Sequence, residues 1–259
     1  MKPGEYFLLS AFTGNQALGN QACVLMLDDI SDTELLHSIA CDFNMPATTF
    51  LRKRADGYDV RWFAPDSEID LCGHGTIAAT WALTQIGGDE GPIQFHYNNG
   101  VLLGEKGRET VSISAEAILS EPTSIPDHVQ RGFQGQVVGY ETSPNKDLVL
   151  LNDEYAVREL KPNWNALRES KTFGYVITAR GSTHDCVSRV ILPYVSFLED
   201  QATGSAHMLL ASYWSQQLKK SNILAFQASQ RGGEVICDVS ETTVRPTAKA
   251  VPFGAGKLL

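Results

Sequence analysis

The order of sequence patterns in the first half of this chain is repeated in the second half. A strand-like run over residues 21–27 is followed by a helix-like segment, and residues 148–151 are followed by another. Further on, each half has a Gly-rich turn before an apolar stretch. Aligning Gly75-Thr76 with Gly204-Ser205 gives an offset of 204 minus 75, or 129 residues, half of the 259-residue chain. We therefore expect two homologous halves, related by a pseudo-two-fold axis that brings both turns to the seam between them.

Two of the helix-like segments, residues 76–86 and 206–219, have few polar residues on any face over most of their length. A helix without a polar face is usually buried on all sides. Two amphipathic helices are predicted over residues 32–42, with Ser31 or Asp32 as the cap, and 163–169. Short β-branched and aromatic runs predict strands at 6–12, 22–27, 48–51, 59–63, 101–103, 110–113, 137–140, 173–178, 187–192 and 234–239.

The small number of helices excludes a Rossmann or α/β-barrel plan, which needs a helix after nearly every strand. We predict an α+β fold of two pseudo-symmetric domains, each a mixed β-sheet wrapped around a central buried helix. A Pro- and Ser-containing connector at 121–126 suggests domains at residues 1–120 and 121–259, with the last strand free to cross back to the first half.

Composition narrows the classes of function. The formal charge of -9 argues against nucleic acid or a membrane surface as a partner, because both attract basic patches. No targeting segment and no spanning run of roughly 18 apolar residues is present. Five cysteines without a Cys-x-x-Cys pair favour a reducing compartment, so we expect a cytoplasmic protein. The six histidines lack metal-binding spacing, and we predict no metal.

The two Gly-rich turns have the composition of an anion-binding site. A helix start has free backbone N–H groups and about half a positive charge, and glycine lets a ligand approach closely. Two such starts could hold a substrate carboxylate without an arginine. The alternative is that small polar residues here are ordinary helix caps. The residues proposed to bind substrate in this way are Gly73, Gly75, Thr76, Thr203, Gly204 and Ser205.

Ionisable side chains accompany both turns. His74 lies inside the first turn, and Glu199-Asp200 directly precedes the second. A histidine titrates near neutrality and a shielded carboxylate can have a raised pKa, so His74 and Asp200 could remove a proton from one carbon and return it to another. Each also has an ordinary explanation, His74 as a core histidine and Asp200 as a carboxylate favoured by the helix dipole.

At these residues the sequence resembles the phenazine-biosynthesis PhzF-like family, over essentially the full chain. The matching motifs are Phe12-Thr13, Gly19-Asn20, Phe43-Asn44, Thr48-Thr49-Phe50, Arg61-Trp62-Phe63, Pro65, Glu68, Cys72-Gly73-His74, Val157-Arg158, Val187-Ser188-Arg189, Glu199-Asp200, Thr203-Gly204-Ser205-Ala206-His207, Tyr213-Trp214 and Arg231-Gly232-Gly233. The resemblance implies the two-domain fold of diaminopimelate epimerase, an active cleft between the halves, no cofactor, and a homodimer.

The resemblance also implies residue roles. Family isomerases shuttle a proton with a glutamate, a histidine and an aspartate, and the latter two correspond to His74 and Asp200. Gly73 and Ser205 lie at ligand-binding positions of the family. Asn20, from the Gly19-Asn20 motif, is also predicted to bind substrate. The glutamate does not carry over. Its motif, Asn-Leu-Ser-Glu-Thr, reads Asn-Met-Pro-Ala-Thr at residues 44–48, which puts Ala47 at the glutamate position.

Related epimerases and racemases use two thiols, one before each turn. Cys72 occupies the first position, and the 129-residue alignment places Gln201 at the second. Two-thiol racemisation is therefore not expected. Cys72 could still react with its pKa lowered at a helix start, or it is a small buried residue.

Three functions are compatible with these features. The first is a cofactor-independent, isomerase-type enzyme that acts on a small carboxylic acid, with a reaction that has diverged toward isomerisation, lyase or cyclisation chemistry. The second is a non-catalytic protein that binds a small carboxylate. The third, a protein-interaction module, is supported only by the absent glutamate.

Overall fold

The computed structural model describes residues 1–258 and divides into two compact units. The first contains residues 1–115 and the C-terminal segment from Arg245; the second is Glu116–Val244. In chain order, the elements of the first part are β1 (Glu5–Ala11), β2 (Asn20–Met26), α1 (Thr33–Phe43), β3 (Thr48–Arg54), β4 (Gly57–Phe63), β5 (Glu68–Ile69), α2 (Gly73–Gln85), β6 (Ile93–Tyr97), β7 (Gly100–Lys106) and β8 (Val111–Glu116). They are followed by β9 (Glu121–Pro122), α3 (Asp127–Gly132), β10 (Val137–Thr142), β11 (Lys146–Leu151), α4 (Glu154–Glu159), α5 (Trp164–Leu167), β12 (Gly174–Arg180), β13 (Cys186–Ile191), β14 (Glu199–Asp200), α6 (Gly204–Leu218), β15 (Asn222–Gln227), β16 (Gly233–Val239), β17 (Thr243–Ala248) and β18 (Ala250–Lys257).

The sheet of the first unit is mixed. Antiparallel pairs β1/β2, β3/β4 and β6/β7 are joined by parallel pairings of β2 with β3 and of β4 with β6. The C-terminal strand β18 pairs with β1, and β17 pairs with β8. The last two strands of the chain thus pair with the first and the eighth strand. The sheet formed in this way encloses the helix at the centre of the unit.

Helix α2 is that central helix. Its residues are buried apart from Trp81 and Gln85, and it packs against β1, β2, β3, β7 and β18. Its neighbours in the core include Val24, Leu51 and Phe95, all less than 1% exposed. Complete burial explains why this helix needs no polar face, as its sequence indicated. Helix α1 lies on the outer side of the sheet, where Leu36 and Ala40 pack with Phe50 and Phe63.

The second unit repeats this plan. The pairs β10/β11, β12/β13 and β15/β16 are antiparallel, and β11/β12 and β13/β15 are parallel. Helix α6 packs on β12, β15 and β16, and its residues from Gly204 through Ser212 are all buried. The predicted α+β architecture, a mixed sheet around a buried helix in each half, is confirmed.

The predicted register of the repeat is wrong by two residues. Helix α2 begins at Gly73 and α6 at Gly204, an offset of 131 rather than 129. The short strands before them agree, because Glu68 pairs with Phe63 of β4 as Glu199 pairs with Ile191 of β13. The dipeptides Gly75-Thr76 and Gly204-Ser205 align because they are chemically alike. The residue at which each helix begins is determined instead by how the helix packs inside its sheet.

Local signals explain the other element boundaries. Asp32 caps α1 by accepting a hydrogen bond from the Leu35 amide at 3.0 Å, and Asn44 ends the helix in the left-handed region at φ 49°. Strands β6 and β15 were not predicted from the sequence. Each forms an antiparallel hairpin with the following strand, β7 or β16, and also pairs in parallel with a more distant strand, β4 or β13. The parallel pairing brings together segments that no local pattern connects.

Candidate half-sites at the starts of the buried helices

The first half-site is the start of α2. Cys72 is its N-cap, with an extended backbone and no side-chain capping bond, and residues 73–76 form the first turn. All of these residues are buried, His74 retaining 6% exposure. A Cβ atom on Gly75 would lie 2.6 Å from Thr49 Oγ1 and 2.9 Å from Trp62 Cδ1. Only a glycine therefore lets the turn pack this closely on β3 and β4.

His74 and Cys72 contact each other inside this turn. The Sγ atom of Cys72 lies 3.5 Å from Nδ1 and 3.8 Å from Nε2 of His74. The hydroxyl and the backbone amide of Thr76 both donate to the carbonyl of Cys72, at 2.7 and 3.1 Å. The first amides of a helix, before this bond, have no acceptor within the helix. The imidazole and the thiol are thus presented together at the positive end of a 13-residue helix.

Two further positions of interest lie on or beside the strands that surround this helix. Asn20, predicted to bind substrate, is the first residue of β2 and is fully buried. Ala47, directly before β3, is fully buried and belongs to the same apolar cluster as Cys72. Its side chain is a methyl group, so it adds no ionisable group to this cluster.

The second half-site is the start of α6. Thr203 is the N-cap, with backbone angles (φ -117°, ψ 110°) close to those of Cys72 (φ -122°, ψ 98°). Asp200, 8% exposed, accepts the Thr203 hydroxyl at 2.6 Å with one carboxylate oxygen and the Gln201 amide at 2.9 Å with the other. The Thr203 hydroxyl and the Gln201 amide thus each bind one oxygen of the Asp200 carboxylate at the helix start.

Gln227, a residue that sequence analysis did not identify, holds this turn from β15. It is fully buried, and its side-chain oxygen accepts the Thr203 amide at 2.8 Å. Its side-chain nitrogen donates to the carbonyl oxygen of Asp200 at 2.6 Å. One amide side chain thus fixes the backbone on both sides of residues 201–202.

Lys146 also belongs to this half-site and was not found from the sequence. It is the first residue of β11 and is 9% exposed. Its ammonium donates to Ser205 Oγ at 3.2 Å and to the side-chain oxygen of Asn145, and lies 5.3 Å from the ring centre of Phe173. A positive charge therefore contacts Ser205, one of the predicted substrate-binding residues.

Glu199, next to Asp200, has a structural role. Arg189 of β13 donates to both of its carboxylate oxygens at 2.8 Å and to the carbonyl of Leu160 at 2.7 Å. The same arrangement occurs in the first unit, where Arg61 donates to both oxygens of Glu68 at 2.7 Å. The two Arg–Glu pairs occupy equivalent places in the repeat. Glu199 thus corresponds to Glu68 in the first unit, whereas Asp200 corresponds to the apolar residue Ile69.

The corrected repeat changes which residue is equivalent to Cys72. The N-cap before α6 is Thr203, not Gln201 as the 129-residue alignment predicted. Equivalent side-chain contacts in the two helices support this assignment. His207 Nδ1 lies 2.7 Å from the carbonyl oxygen of Thr203, and the Thr76 hydroxyl donates to the carbonyl oxygen of Cys72. A hydroxyl rather than a second thiol therefore stands at this position.

His207 is fully buried on the inner side of this turn, and burial lowers its pKa to about 4. A neutral ring that donates from Nδ1 to the Thr203 carbonyl satisfies that contact. A neutral His207 thus stabilises the start of α6 near pH 7, whereas His74 lies at the start of α2 beside the thiol of Cys72.

A depression of about 400 Å³ in the second unit is lined by Arg168, Pro193, Tyr194, Val195, Ser196 and Leu198, none of which was predicted to bind substrate. Within residues 1–258, no group of three His, Cys, Asp or Glu side chains could hold a metal ion. No helix in this part of the chain is both long and apolar enough to cross a bilayer.

Comparison with known proteins gives a consistent result. The family model described as phenazine biosynthesis-like protein matches residues 9–256. Uncharacterized isomerases of Halalkalibacterium halodurans and Pseudomonas aeruginosa are 32% and 34% identical, covering 98% and 97% of this chain and 97% of each relative. A crystal structure of a PhzF-family phenazine biosynthesis protein from Enterococcus faecalis superposes with a TM-score of 0.92 at 30% identity, covering 98% of both chains.

Proposed function

The chain belongs to the phenazine biosynthesis-like family, and from this membership we propose that it is a cofactor-independent, isomerase-type enzyme that transfers a proton on a small carboxylic acid. Relatives of nearly the same length carry the name isomerase. The observation that carries the proposal is the environment of Asp200. Its nearly buried carboxylate accepts hydrogen bonds from the Thr203 hydroxyl and the Gln201 amide at the start of α6, while the adjacent Glu199 is bound to Arg189.

In the proposed reaction, Asp200 and His74 divide the proton transfer. The Asp200 carboxylate accepts a proton from a substrate carbon, and the electron pair moves into the adjacent conjugated system. The imidazolium of His74 then gives a proton to a second carbon. Both groups must afterwards return to their starting states, with Asp200 losing and His74 gaining a proton. If these protons exchange with water, solvent hydrogen enters the product.

The substrate carboxylate is proposed to bind at the helix starts. Gly73 and Gly75 in α2, and Gly204 and Ser205 in α6, would supply backbone amides at the positive ends of buried helices. The amide of Thr76, also predicted to bind substrate, already donates to the Cys72 carbonyl at 3.1 Å. That the two turns face one substrate, and that the protein is a homodimer, remain predictions of the sequence. Sedimentation velocity would test the second.

The reaction is proposed to have diverged from the usual family isomerisation. Ala47 cannot accept or donate a proton, and it belongs to the apolar cluster that also contains Cys72. Loss of one general acid or base typically costs about 10² to 10⁴ in rate. A remaining pair, Asp200 and His74, suits isomerisation by another route, lyase chemistry or assisted cyclisation.

A second candidate is a non-catalytic protein that binds a small carboxylate. It is favoured by the same buried Ala47, because a site without its third ionisable group could retain binding and lose turnover. Both candidates predict ligand binding. Only the enzyme predicts exchange of hydrogen at a substrate carbon.

The test is incorporation of solvent deuterium into cyclic and unsaturated amino or hydroxy acids, followed by mass spectrometry. Wild-type protein should exchange at least one carbon-bound hydrogen, Asp200→Asn should abolish this, and Glu199→Gln should retain it because Arg189 can still donate to an amide oxygen. Equal exchange by the wild type and Asp200→Asn would remove Asp200 from the mechanism. Binding without any exchange would favour the second candidate.

Replacing Ala47 with glutamate tests the divergence. If the rest of the site is intact, Ala47→Glu should gain family-type isomerisation. Ala47→Gln is the matched control, since it has nearly the same volume but cannot transfer a proton in the same way. The melting temperature of both variants must be measured, because burying a polar group at this apolar position is itself destabilising. A folded glutamate variant without activity would indicate a remodelled site.

A further inference from the structure

Thr49 of β3 and Trp62 of β4 are buried polar side chains that lie opposite each other in the sheet of the first unit. Thr49 is 0% and Trp62 is 1% exposed. Among residues 1–258, neither the Thr49 hydroxyl nor the Trp62 indole nitrogen has a hydrogen-bond partner. A buried donor without a partner lowers stability, and such groups are uncommon in native proteins. The stability of the fold therefore does not explain why this pair is polar.

Both polar groups adjoin the first turn of α2. A Cβ atom on Gly75 would lie 2.6 Å from Thr49 Oγ1, 2.9 Å from Trp62 Cδ1 and 3.1 Å from Cys72 Sγ. The indole nitrogen is bonded directly to Cδ1, so the hydroxyl and the indole N–H lie beside the same glycine. A helix start has amides without an acceptor in the helix and carries a positive partial charge. The two side chains thus add donors at a place that already favours an anion.

In the second unit, a buried tryptophan and a buried threonine satisfy each other. Trp214 Nε1 of α6 donates to Thr178 Oγ1 at 3.1 Å, and the Thr178 hydroxyl donates to the Val187 carbonyl oxygen at 2.8 Å. Trp214 is 8% and Thr178 is 0% exposed. The same two residue types can therefore form a closed set of hydrogen bonds beside a central helix, whereas Thr49 and Trp62 do not.

The internal repeat shows that this place in the fold does not require polar atoms. Register through β3, β4 and β5 in the first unit and through β12, β13 and β14 in the second matches Thr49 with Val176 and Trp62 with Val190. Both valines are fully buried. The second unit thus builds the equivalent contact from side chains that cannot form hydrogen bonds, so the polar atoms are a feature of the first half-site alone.

We infer that the Thr49 hydroxyl and the Trp62 indole N–H bind an oxygen atom of the substrate carboxylate, together with the first amides of α2. This rests on the proposed function for the presence of a carboxylate substrate, and it assigns two binding residues that the family resemblance did not supply. The first turn of α2 covers both donors, so it shifts outward to admit the oxygen. Gly75 keeps this cover thin because it has no side chain. An apolar group at the same point of a ligand would leave both donors unpaired, so the pair selects for an oxygen acceptor.

The first test is a two-dimensional NMR spectrum of full-length protein labelled with nitrogen-15 in its tryptophans, with cyclohexanecarboxylate as the probe because it has no aromatic ring current. Single Trp→Phe variants assign the four indole signals. In the wild type, the Trp62 signal should move downfield as the probe is added, since its proton gains an acceptor. The Trp164 signal, from the second unit, is the internal control and should stay in place, and sodium chloride at equal ionic strength should move neither signal.

The second test measures probe affinity and melting temperature in threonine variants. Thr49→Val has nearly the same shape but no hydroxyl, so it should weaken binding roughly ten- to hundredfold, as for a lost hydrogen bond to a charged group, while the melting temperature stays level or rises. Thr49→Ser keeps the hydroxyl and should retain most of the affinity. Thr178→Val is the matched control: it leaves the Trp214 indole unpaired, so it should lower the melting temperature and leave the affinity unchanged.

Three results would overturn the inference. A stationary Trp62 signal in the wild type, up to the solubility limit of the probe, would do so without any variant of Thr49. Unchanged affinity in a folded Thr49→Val would do so as well, as would a marked fall in its melting temperature, because the hydroxyl would then have a structural role.

Failure of the proposed enzyme is distinguishable from failure of this inference. Probe binding that depends on Thr49, in a protein without deuterium exchange, would retain the inference and overturn the enzyme. Deuterium exchange that depends on Asp200, with probe binding that is independent of Thr49, would retain the enzyme and overturn the inference.

Discussion

Gln227 provides the sharpest test of how the second half-site is held. Replacing it with leucine keeps the approximate size of the side chain but removes its hydrogen bonds to the Thr203 amide and the Asp200 carbonyl. Both residues are buried, at 6% and 8% exposure, so water cannot readily replace the lost partner. We expect the turn over residues 200–203 to loosen and the Asp200 carboxylate to lose its fixed orientation.

The magnitude follows from the two groups left without a partner. Each buried polar group that loses its hydrogen bond costs roughly 1–3 kcal/mol, so Gln227→Leu should lower the free energy of unfolding by roughly 2–6 kcal/mol. That is a large part of the roughly 5–15 kcal/mol that separates folded from unfolded states in typical proteins. Gln94→Leu, at an exposed position of β6, is the matched control and should change stability by less than about 0.5 kcal/mol.

The assay combines urea unfolding with amide hydrogen exchange. The urea midpoint should fall in Gln227→Leu and stay near the wild-type value in Gln94→Leu. The Thr203 amide, protected in the wild type through Gln227, should exchange faster in Gln227→Leu under conditions where the rest of α6 stays protected. Unchanged protection of that amide would refute the assignment of Gln227 as the residue that holds the turn, whatever happens to the midpoint.

Two further predictions concern the helix starts. Because burial lowers the pKa of His207 to about 4, the unfolded chain takes up a proton that the folded protein excludes, so the free energy of unfolding should fall by about 3 kcal/mol from pH 6.5 to pH 4. His207→Gln, which can still donate to the Thr203 carbonyl, should flatten this part of a profile of melting temperature against pH. An unaltered slope in this variant would contradict the reasoning. Gly75→Ala should cost about 1–3 kcal/mol because its methyl group would lie 2.6 Å from Thr49 Oγ1, whereas Gly14→Ala, with only Lys249 Cδ at 3.4 Å, should be nearly neutral in the same melting experiment.

Much of the fold could be predicted from the sequence because its signals are local or repeated. The absence of a polar face in α2 and α6 is compatible only with burial, and burial requires a surrounding sheet. The cap at Asp32 is a short-range signal of the same kind, since its carboxylate bonds an amide three residues away. The repeated order of these patterns indicated a duplicated architecture.

The candidate site was only partly predictable. His74 and Asp200 were proposed because they adjoin Gly-rich turns, but the alignment of the two turns was wrong by two residues, since helix starts are set by packing and not by similar dipeptides. Glu199 resembled Asp200 in sequence. Only the ion pair with Arg189, ten positions away on an adjacent strand, gave it a separate structural role.

By itself, the sequence determined the α+β class, the buried central helices, the acidic character and the family, because each depends on residue type and local order. The tertiary structure decided the neighbours of the residues proposed to bind substrate. Lys146 reaches Ser205 across 59 positions, and Gln227 reaches Thr203 across 24. Such contacts depend on strand register and on the space left by Gly174, and a local pattern carries neither, because both arise only when distant segments pair.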